Sequence, residues 1–118
     1  MKEKPVILIV EDEPDIRELI QYHLLKEGYE TLLASNGKEA LEAVQAKDPD
    51  LVLLDLMLPL VNGIEVLKTI RFAWGLKELP IIIVSARTDE TDIITALELG
   101  ADNYLSKPFR PKVLVANV

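Results

Sequence analysis

The strongest constraint on the fold comes from short apolar runs that recur along the chain between polar segments. Val6–Val10 is an unbroken apolar run, and Leu51–Leu54 and residues 81–84 repeat the pattern. Runs of this length without alternating polar residues predict strands buried on both faces. Strands of that kind belong to a parallel sheet, which requires a helix in each crossover between successive strands.

The segments between these runs carry helix signals. Pro14 and Gly28 bound the first predicted helix, and Asn36 is a suitable N-cap for a second helix that ends near Lys47. Five strands therefore alternate with five helices, which predicts an α/β fold: a flavodoxin-like (βα)5 doubly wound parallel sheet with strand order 2-1-3-4-5. The remaining predicted elements are strands over 31–34 and 103–106 and helices over 64–72, over 89–99 and from Pro111 onward.

Composition limits the class of protein. The 118 residues fit one domain, 1–118, and the 49% hydrophobic content is enough for a core. The absence of cysteine excludes disulfides and thiolate metal sites. The net charge of −7 argues against nucleic acid or anionic lipid as a direct partner of this segment. No apolar run approaches the ~18 residues of a membrane span, so we expect a soluble cytoplasmic protein without membrane contact.

Asp55 stands directly after the third predicted strand, where burial of an unpaired carboxylate would be costly. Glu11, Asp12 and Glu13 follow the first strand. In such sheets ligands bind at the carboxyl ends of the strands where the strand order reverses, here between strands one and three. Neighbouring strands lie ~4.8 Å apart, so these carboxylates should converge. Oxygen ligands without histidine or cysteine favour Mg²⁺ or a similar divalent ion.

Ser85 ends the fourth predicted strand and Lys107 follows the fifth, which adds a hydroxyl and an ammonium group at the same edge. This combination suits phosphoryl chemistry, in which a metal and a lysine neutralise phosphate oxygens while a carboxylate attacks phosphorus. Each residue alone has a simpler explanation, such as a helix-dipole partner, a loop cap or a surface lysine. Their coincidence at one edge favours the phosphoryl site.

Three other conspicuous side chains are interpreted mainly as packing residues. These are His23, for which a surface position is the alternative, Met57, and Trp74, for which a partner surface is the alternative.

General statistics give a cis bond before Pro108 only ~5% frequency.

Short motifs occur at definite spacings along the chain. They are Val10-Glu11-Asp12-Glu13, Leu54-Asp55-Leu56-Met57-Leu58-Pro59, Asn62-Gly63, Val84-Ser85-Ala86-Arg87, Gly100-Ala101-Asp102-Asn103-Tyr104 and Lys107-Pro108-Phe109. Each motif is weak alone, but the full set in this order and spacing is highly specific. Over essentially the whole chain the set resembles the receiver domain of two-component response regulators. The Glu-Asp-Glu and Met-Leu-Pro segments are most similar to those of the OmpR/PhoB class of transcriptional regulators.

The resemblance implies a phosphorylation switch. Asp55 would be the phospho-acceptor, receiving its phosphoryl group from a sensor histidine kinase. Mg²⁺, with Mn²⁺ as a substitute, would bind the side chains of Asp12 and Asp55 and the backbone carbonyl of Met57, with Glu11 acting largely through water. Lys107 would pair with a phosphoryl oxygen. The protein would not be an enzyme that turns over a substrate. Its own reactions would be self-phosphorylation from a phosphodonor and slow autodephosphorylation.

The resemblance also implies how the signal leaves the site. Ser85 would turn toward the phosphoryl group and Tyr104 would follow inward, which would change the surface formed by helix four, strand five and helix five. Pro108 would follow a cis bond. Met57 and Arg87 would tune the lifetime of the phosphoaspartate.

The chain departs from the family pattern in several places. Ser85 stands where threonine is usual, and Leu60 and Val61 replace a small or polar pair. The charged pairs expected at the dimer face are absent. We therefore expect an intact phosphorylation site beside an altered homodimer face, either more apolar or not used in the family's way. The substituted positions are Ile93 for a basic residue, Val113 and Asn103 for acidic residues, and Asn117 for an arginine.

Three other classes of protein share part of this pattern. A phosphatase or phosphotransferase of the haloacid-dehalogenase type needs a second aspartate two residues after the nucleophile, where this chain has Met57. A nucleotide or flavin binder needs a Gly- or Ser/Thr-rich loop after strand one, where this chain has Glu11-Asp12-Glu13-Pro14. A degenerate receiver would lack part of the site. The short last helix suggests a domain excised from a longer regulator, with an output domain, for example a DNA-binding one, after it.

Overall fold

The computed structural model describes residues 4–86 and 89–118. Five parallel strands form one sheet in the order two, one, three, four, five, which confirms the predicted fold class. The strands are β1 (Val6–Val10), β2 (Glu30–Ala34), β3 (Leu51–Leu54), β4 (Ile81–Ser85) and β5 (Asn103–Ser106). The α-helices are α1 (Pro14–Lys26), α2 (Gly37–Lys47), α3 (Gly63–Lys68), α4 (Glu90–Glu98) and α5 (Pro111–Asn117).

The sheet separates two hydrophobic cores. In β1, Leu8 and Val10 point into the core shared with α2, α3 and α4. Ile7 and Ile9 point into the core shared with α1 and α5. Since successive side chains alternate between the faces of a strand, a strand with helices on both sides must be apolar at every position. This explains the unbroken apolar runs.

Asparagine caps set the start of two helices. Asn36 Oδ1 accepts a hydrogen bond of 2.8 Å from the backbone N–H of Glu39 at the start of α2, as predicted. Asn62 Oδ1 accepts from the N–H of Glu65 at 3.0 Å. This second cap makes α3 begin at Gly63, one residue earlier than the sequence pattern indicated.

The helix predicted over 64–72 is confirmed in its extent, but its second half, Thr69–Ala73, is π-helical. The N–H of Trp74 donates to the carbonyl of Thr69 at 2.9 Å, and Thr69 Oγ1 donates to the carbonyl of Glu65 at 2.8 Å. Hydroxyl groups that bond back to the helix in this way perturb its regular pattern. Trp74 packs partly against the core, so its interpretation as a packing residue is confirmed.

Within the described residues, no helix is both long enough and apolar enough to span a bilayer.

Candidate functional site

The backbone brings the ends of β1 and β3 together. Val10 pairs with Leu54 in parallel register, and the N–H of Asp55 donates to the carbonyl of Val10 at 3.1 Å. The next residues along both strands are therefore neighbours. Carboxylate oxygens of Glu11, Asp12 and Asp55 all lie within 4.8 Å of one another, which confirms the predicted convergence for these three residues. The carboxylate of Glu13 is not part of this group.

Lys107 reaches into this cluster from the end of β5. Its backbone N–H donates to the carbonyl of Ser85 at 2.8 Å, and the peptide bond between Lys107 and Pro108 is cis, as the resemblance implies. Lys107 Nζ lies 2.7 Å from Glu11 Oε1 and 2.9 Å from Asp55 Oδ2. One ammonium group therefore binds two carboxylates, an arrangement that sequence reasoning did not find, since it assigned Glu11 to the metal alone.

Burial controls the charges of this cluster. Glu11 is 1% exposed and Asp55 is 4% exposed, whereas Asp12 is exposed. Burial raises the pKa of Glu11 above its ordinary value; the hydrogen bond from Lys107 opposes this, and the charge of Asp55 adds to it. Burial alone would lower the pKa of Lys107, but its hydrogen bonds with Glu11 and Asp55 outweigh burial and raise that pKa. The ammonium group therefore stays charged near neutral pH.

Asp55 is oriented through both of its oxygens. Oδ1 accepts a hydrogen bond of 3.0 Å from the N–H of Met57, and Oδ2 accepts from Lys107. The Met57 side chain is 53% exposed, which does not agree with its interpretation as a packing residue. It lies instead at the rim of a cavity of about 160 Å³ above Asp55. The cavity lining comprises Asp12, Glu13, Asp55, Met57, Ala86 and Lys107.

The loop that follows Asp55 is held by two close approaches. A Cβ atom on Gly63 would lie 2.4 Å from the carbonyl oxygen of Asp55, and a Cβ on Gly37 would lie 1.8 Å from that of Val61. Leu60, at the tip of the loop, has a left-handed φ of 68° and is 77% exposed. Leucine is unfavourable in this conformation, so the departure from a small residue here carries backbone strain.

Backbone contacts around Glu11 were also missed at the sequence level. Arg17 Nη1 donates to the carbonyl of Glu11 at 2.9 Å, and the N–H of Glu13 donates to Glu11 Oε2 at 3.2 Å. Glu13 is the N-cap residue of α1 but its side chain makes no capping hydrogen bond. The position of Arg17, one turn into α1 and facing the carboxyl edge of the sheet, is the signal that could have indicated its contact.

Ser85 and Tyr104, the two predicted switch residues, lie on adjacent strands. Ser85 is fully buried. Tyr104 on β5 is half-buried and packs against the core beneath α4. Arg87, the predicted tuning residue, lies outside the described residues.

The predicted dimer face lies at the edge of the sheet formed by β5. Asn103 Nδ2 donates a hydrogen bond to Asn117 Oδ1 on α5, so the two residues that replace an expected acid–arginine pair bind each other within the chain. Val113 is 46% exposed, and Ile93 is half-buried. Two further apolar side chains of α4, Ile94 and Leu97, are exposed beside them.

The donor set fits a magnesium ion. Asp12 and Asp55 offer carboxylate oxygens, as does Glu11, and hard oxygen ligands of this kind suit Mg²⁺ and Mn²⁺ rather than softer metals. Asp12 is exposed at the mouth of the cavity. Asp12 and Asp55 would hold the ion, and Lys107 contacts Asp55 through Oδ2.

A buried aspartate beside a lysine and an acidic cluster, at the carboxyl edge of a parallel five-stranded sheet, is an arrangement suited to phosphoryl chemistry. A family model described as the response regulator receiver domain matches residues 7–118. The chain therefore belongs to the receiver family of response regulators.

Curated relatives agree with this assignment. The DNA-binding response regulator MtrA of Mycolicibacterium smegmatis is 47% identical over 112 residues, which cover 95% of this chain and 48% of MtrA. The alkaline phosphatase synthesis transcriptional regulatory protein PhoP of Bacillus subtilis is 45% identical over 112 residues, covering 95% and 46%. The chain spans about half the length of the curated relatives it matches.

Solved structures show the same fold. The receiver domain of the Francisella response regulator 1452 is 32% identical, with a TM-score of 0.91 over 97% of this chain and 93% of that one. The BeF3-activated N-terminal receiver domain of Klebsiella pneumoniae RstA is 34% identical, with a TM-score of 0.88 over 95% and 93%.

Proposed function

We propose that Asp55 is the phospho-acceptor of this receiver domain and takes its phosphoryl group from the phosphohistidine of a sensor kinase. The observation that supports this most is the placement of Lys107 Nζ 2.9 Å from a buried Asp55 carboxylate that shares a cluster with Asp12 and Glu11. Receiver domains act as signalling switches, so the chemistry is one transfer and one slow hydrolysis.

The transfer is a displacement at phosphorus. A carboxylate oxygen of Asp55 forms the new O–P bond while the P–N bond to the kinase imidazole breaks and its electron pair stays on the nitrogen. The ammonium of Lys107 neutralises charge on the phosphoryl oxygens. Asp12, Asp55 and the Met57 carbonyl would hold Mg²⁺, with Glu11 acting through water, and the ion would supply further neutralisation of the phosphoryl oxygens.

The kinase must cover the entrance to Asp55. A second cavity of about 330 Å³, mostly apolar, shares Ala86 and Lys107 with the cavity above Asp55. Leu19 on α1, which is 43% exposed, lines it. A kinase that places its histidine over Asp55 would bury this apolar surface.

Phosphorylation would be transmitted through Ser85 and Tyr104. Ser85 ends β4 beside the site. Tyr104 lies on the neighbouring strand β5, beneath α4. Reorientation of Ser85 toward the phosphoryl group would open space into which Tyr104 moves, and the surface of α4, β5 and α5 would change.

That surface is an altered dimer face. Asn103 and Asn117 bind each other, and Val113 is an exposed apolar residue where the family has an acidic one. A dimer on this face would rest on apolar contact and not on ion pairs. Light scattering with Mg²⁺ and beryllofluoride, a mimic of the phosphoryl group, should show either no dimer or a salt-insensitive one. A dimer that dissociates as salt rises would contradict this proposal.

The regulator that contains this domain is proposed to act on transcription, because MtrA and PhoP are described as a DNA-binding regulator and a transcriptional regulatory protein. The domain itself carries a net charge of −7 and would leave DNA contact to another segment.

Mass spectrometry of the intact protein tests the proposed acceptor. Incubation with acetyl phosphate and Mg²⁺ should add one phosphoryl group to the wild type and to Asp48→Asn, an exposed control with a left-handed backbone that asparagine tolerates. The Asp55→Asn variant should remain unmodified. Equal modification of all three proteins would refute the proposal.

A further inference from the structure

Arg71 is a buried cation outside the phosphorylation site. Its residue is 5% exposed, and its guanidinium donates three hydrogen bonds to other parts of the chain. Nε binds the carbonyl of Gly100 at 2.9 Å, Nη1 binds the carbonyl of Leu76 at 2.6 Å, and Nη2 binds Asp102 Oδ2 at 3.0 Å. The π-helical segment is thereby joined to the turn between α4 and β5.

Asp102 extends this connection to the sheet. Its Oδ2 also accepts a hydrogen bond of 2.7 Å from the N–H of Ile81, and its own N–H donates to the carbonyl of Ile81 at 2.8 Å. Ile81 is the first residue of β4. Since burying a guanidinium is costly unless every donor is well placed, an apolar residue would serve core packing better. The arginine instead fixes the geometry of the turn.

The helix that precedes this turn is lightly packed. Among the nine residues of α4, all of them described, Ala96 is the single fully buried one. Gly100, just after α4, has φ of +110°, and a Cβ there would lie 3.0 Å from the Arg71 side chain. The carboxyl end of α4 is therefore held against Arg71, whereas few side chains along the rest of the helix are buried against the core.

We infer that Arg71 is a positioning residue that makes the α4–β5 turn the pivot about which α4 moves when Asp55 is phosphorylated. The turn lies at the edge of the sheet opposite Asp55, since a crossover helix runs back from the carboxyl edge to the amino edge. With that end fixed, a change at Ser85 and Tyr104 rotates α4 as a unit. Without the contacts of Arg71, the same change at Ser85 and Tyr104 would increase local motion in α4 and would not rotate the helix as a unit. This inference rests on the proposed function.

Amide hydrogen exchange, read by mass spectrometry with and without Mg²⁺ and beryllofluoride, tests the pivot. The variants are Arg71→Lys, which keeps the charge, and Asp102→Asn, which keeps an acceptor for Ile81 and whose side chain is 55% exposed in the native pair. Lys68→Gln, which breaks the exposed pair with Glu65, is the matched control. Both pivot variants should still bind beryllofluoride. Their α4 amides should exchange roughly ten-fold faster, as expected for losing a charged hydrogen bond, and the change that beryllofluoride causes in α4 should lose most of its amplitude.

The possible outcomes distinguish the pivot role of Arg71 from the proposed phosphorylation of Asp55. If Arg71 had only a structural role, the variants would exchange equally faster in β1, β3 and α4. Folded Asp102→Asn would also keep the beryllofluoride response of α4. This result would overturn the role of Arg71. A wild-type protein that does not respond to beryllofluoride would overturn the proposed function instead. Loss of the α4 response in the Lys68→Gln control would also count against Arg71.

Discussion

Lys107 Nζ lies 2.9 Å from Asp55 Oδ2, although 52 positions separate the two residues in the sequence. The same ammonium binds Glu11, and Asp12 completes the group of carboxylates. Three carboxylates and one lysine leave the site with excess negative charge when no metal is bound.

Neutralising the acceptor should stabilise the metal-free protein. In Asp55→Asn, repulsion with Glu11 and Asp12 is relieved and the amide oxygen still accepts from Met57. The ion pair of Lys107 with Asp55 is lost, but Lys107 keeps its ion pair with Glu11, so we expect the relief of repulsion to dominate. We expect the free energy of unfolding in EDTA to rise by about 1 kcal/mol, the usual range for relief of a functional strain. Urea unfolding measures it. Added Mg²⁺ should stabilise the wild type and leave this variant nearly unchanged; a variant less stable than wild type in EDTA would argue against mutual repulsion.

Removing the lysine should have the opposite effect. Lys107→Met leaves Glu11 and Asp55 buried without their cation, and breaking a buried pair from one side costs roughly 3 kcal/mol. Urea unfolding in EDTA should show this loss, and millimolar Mg²⁺ should restore part of it. The exposed control Lys38→Met should match the wild type. A Lys107→Met protein as stable as this control would mean that the ion pairs contribute little.

Ser85→Ala should separate phosphorylation from its transmission. The acceptor, the lysine and the acidic residues remain, so labelling by acetyl phosphate should stay within about three-fold of wild type, a loss of less than about 1 kcal/mol. Chemical shifts of Tyr104, followed by NMR on addition of beryllofluoride, should respond far less. Ser106→Ala, at the position paired with Ser85 on β5, is the control and should respond like the wild type. Identical shift changes in both variants would remove Ser85 from the switch.

Restoring charges should restore salt sensitivity at the dimer face. A variant with Ile93→Lys, Val113→Glu, Asn103→Asp and Asn117→Arg provides the opposite charges that the family pattern expects. Sedimentation with beryllofluoride should show a dimer that weakens as salt rises, because exposed ion pairs are screened. Asn103→Asp alone adds an unpaired charge and should not dimerise. If the wild type formed a dimer as salt-sensitive as that of the variant, the four substituted residues would not determine how this face dimerises.

Two substitutions in the loop after Asp55 should behave differently. In Gly63→Ala the new Cβ would meet the Asp55 carbonyl at 2.4 Å, so the loop must shift, with about 2 kcal/mol of stability lost and weaker Mg²⁺ binding. Leu60→Gly removes an exposed side chain from a left-handed position, so stability should change by less than about 1 kcal/mol. Urea unfolding and calorimetric Mg²⁺ titration measure both. The reverse order of effects would contradict the described loop.

The sequence predicts the strands, the Asn36 cap and the edge that carries the site, because burial on both faces and parallel topology leave few alternatives. It does not predict the π-helical segment, because the Thr69 hydroxyl that bonds back to Glu65 perturbs a helix without specifying a π-helix. The contacts of Arg71 with Gly100 and Asp102, about thirty residues away, exist only in the assembled fold. The pairing of Asn103 with Asn117 was likewise missed, because it depends on the distance between β5 and α5. Local patterns specify elements, whereas contacts between distant side chains require the assembled fold.

On phosphorylation, Asp55 itself should become the acyl phosphate. Borohydride reduces an acyl phosphate of aspartate to homoserine, so tandem mass spectrometry after labelling with acetyl phosphate and Mg²⁺ can locate the modified residue. We predict homoserine at position 55 and at no other position, with no conversion when Mg²⁺ is withheld. Homoserine at Asp12 or another carboxylate, or no conversion at all in the presence of Mg²⁺, would contradict this account.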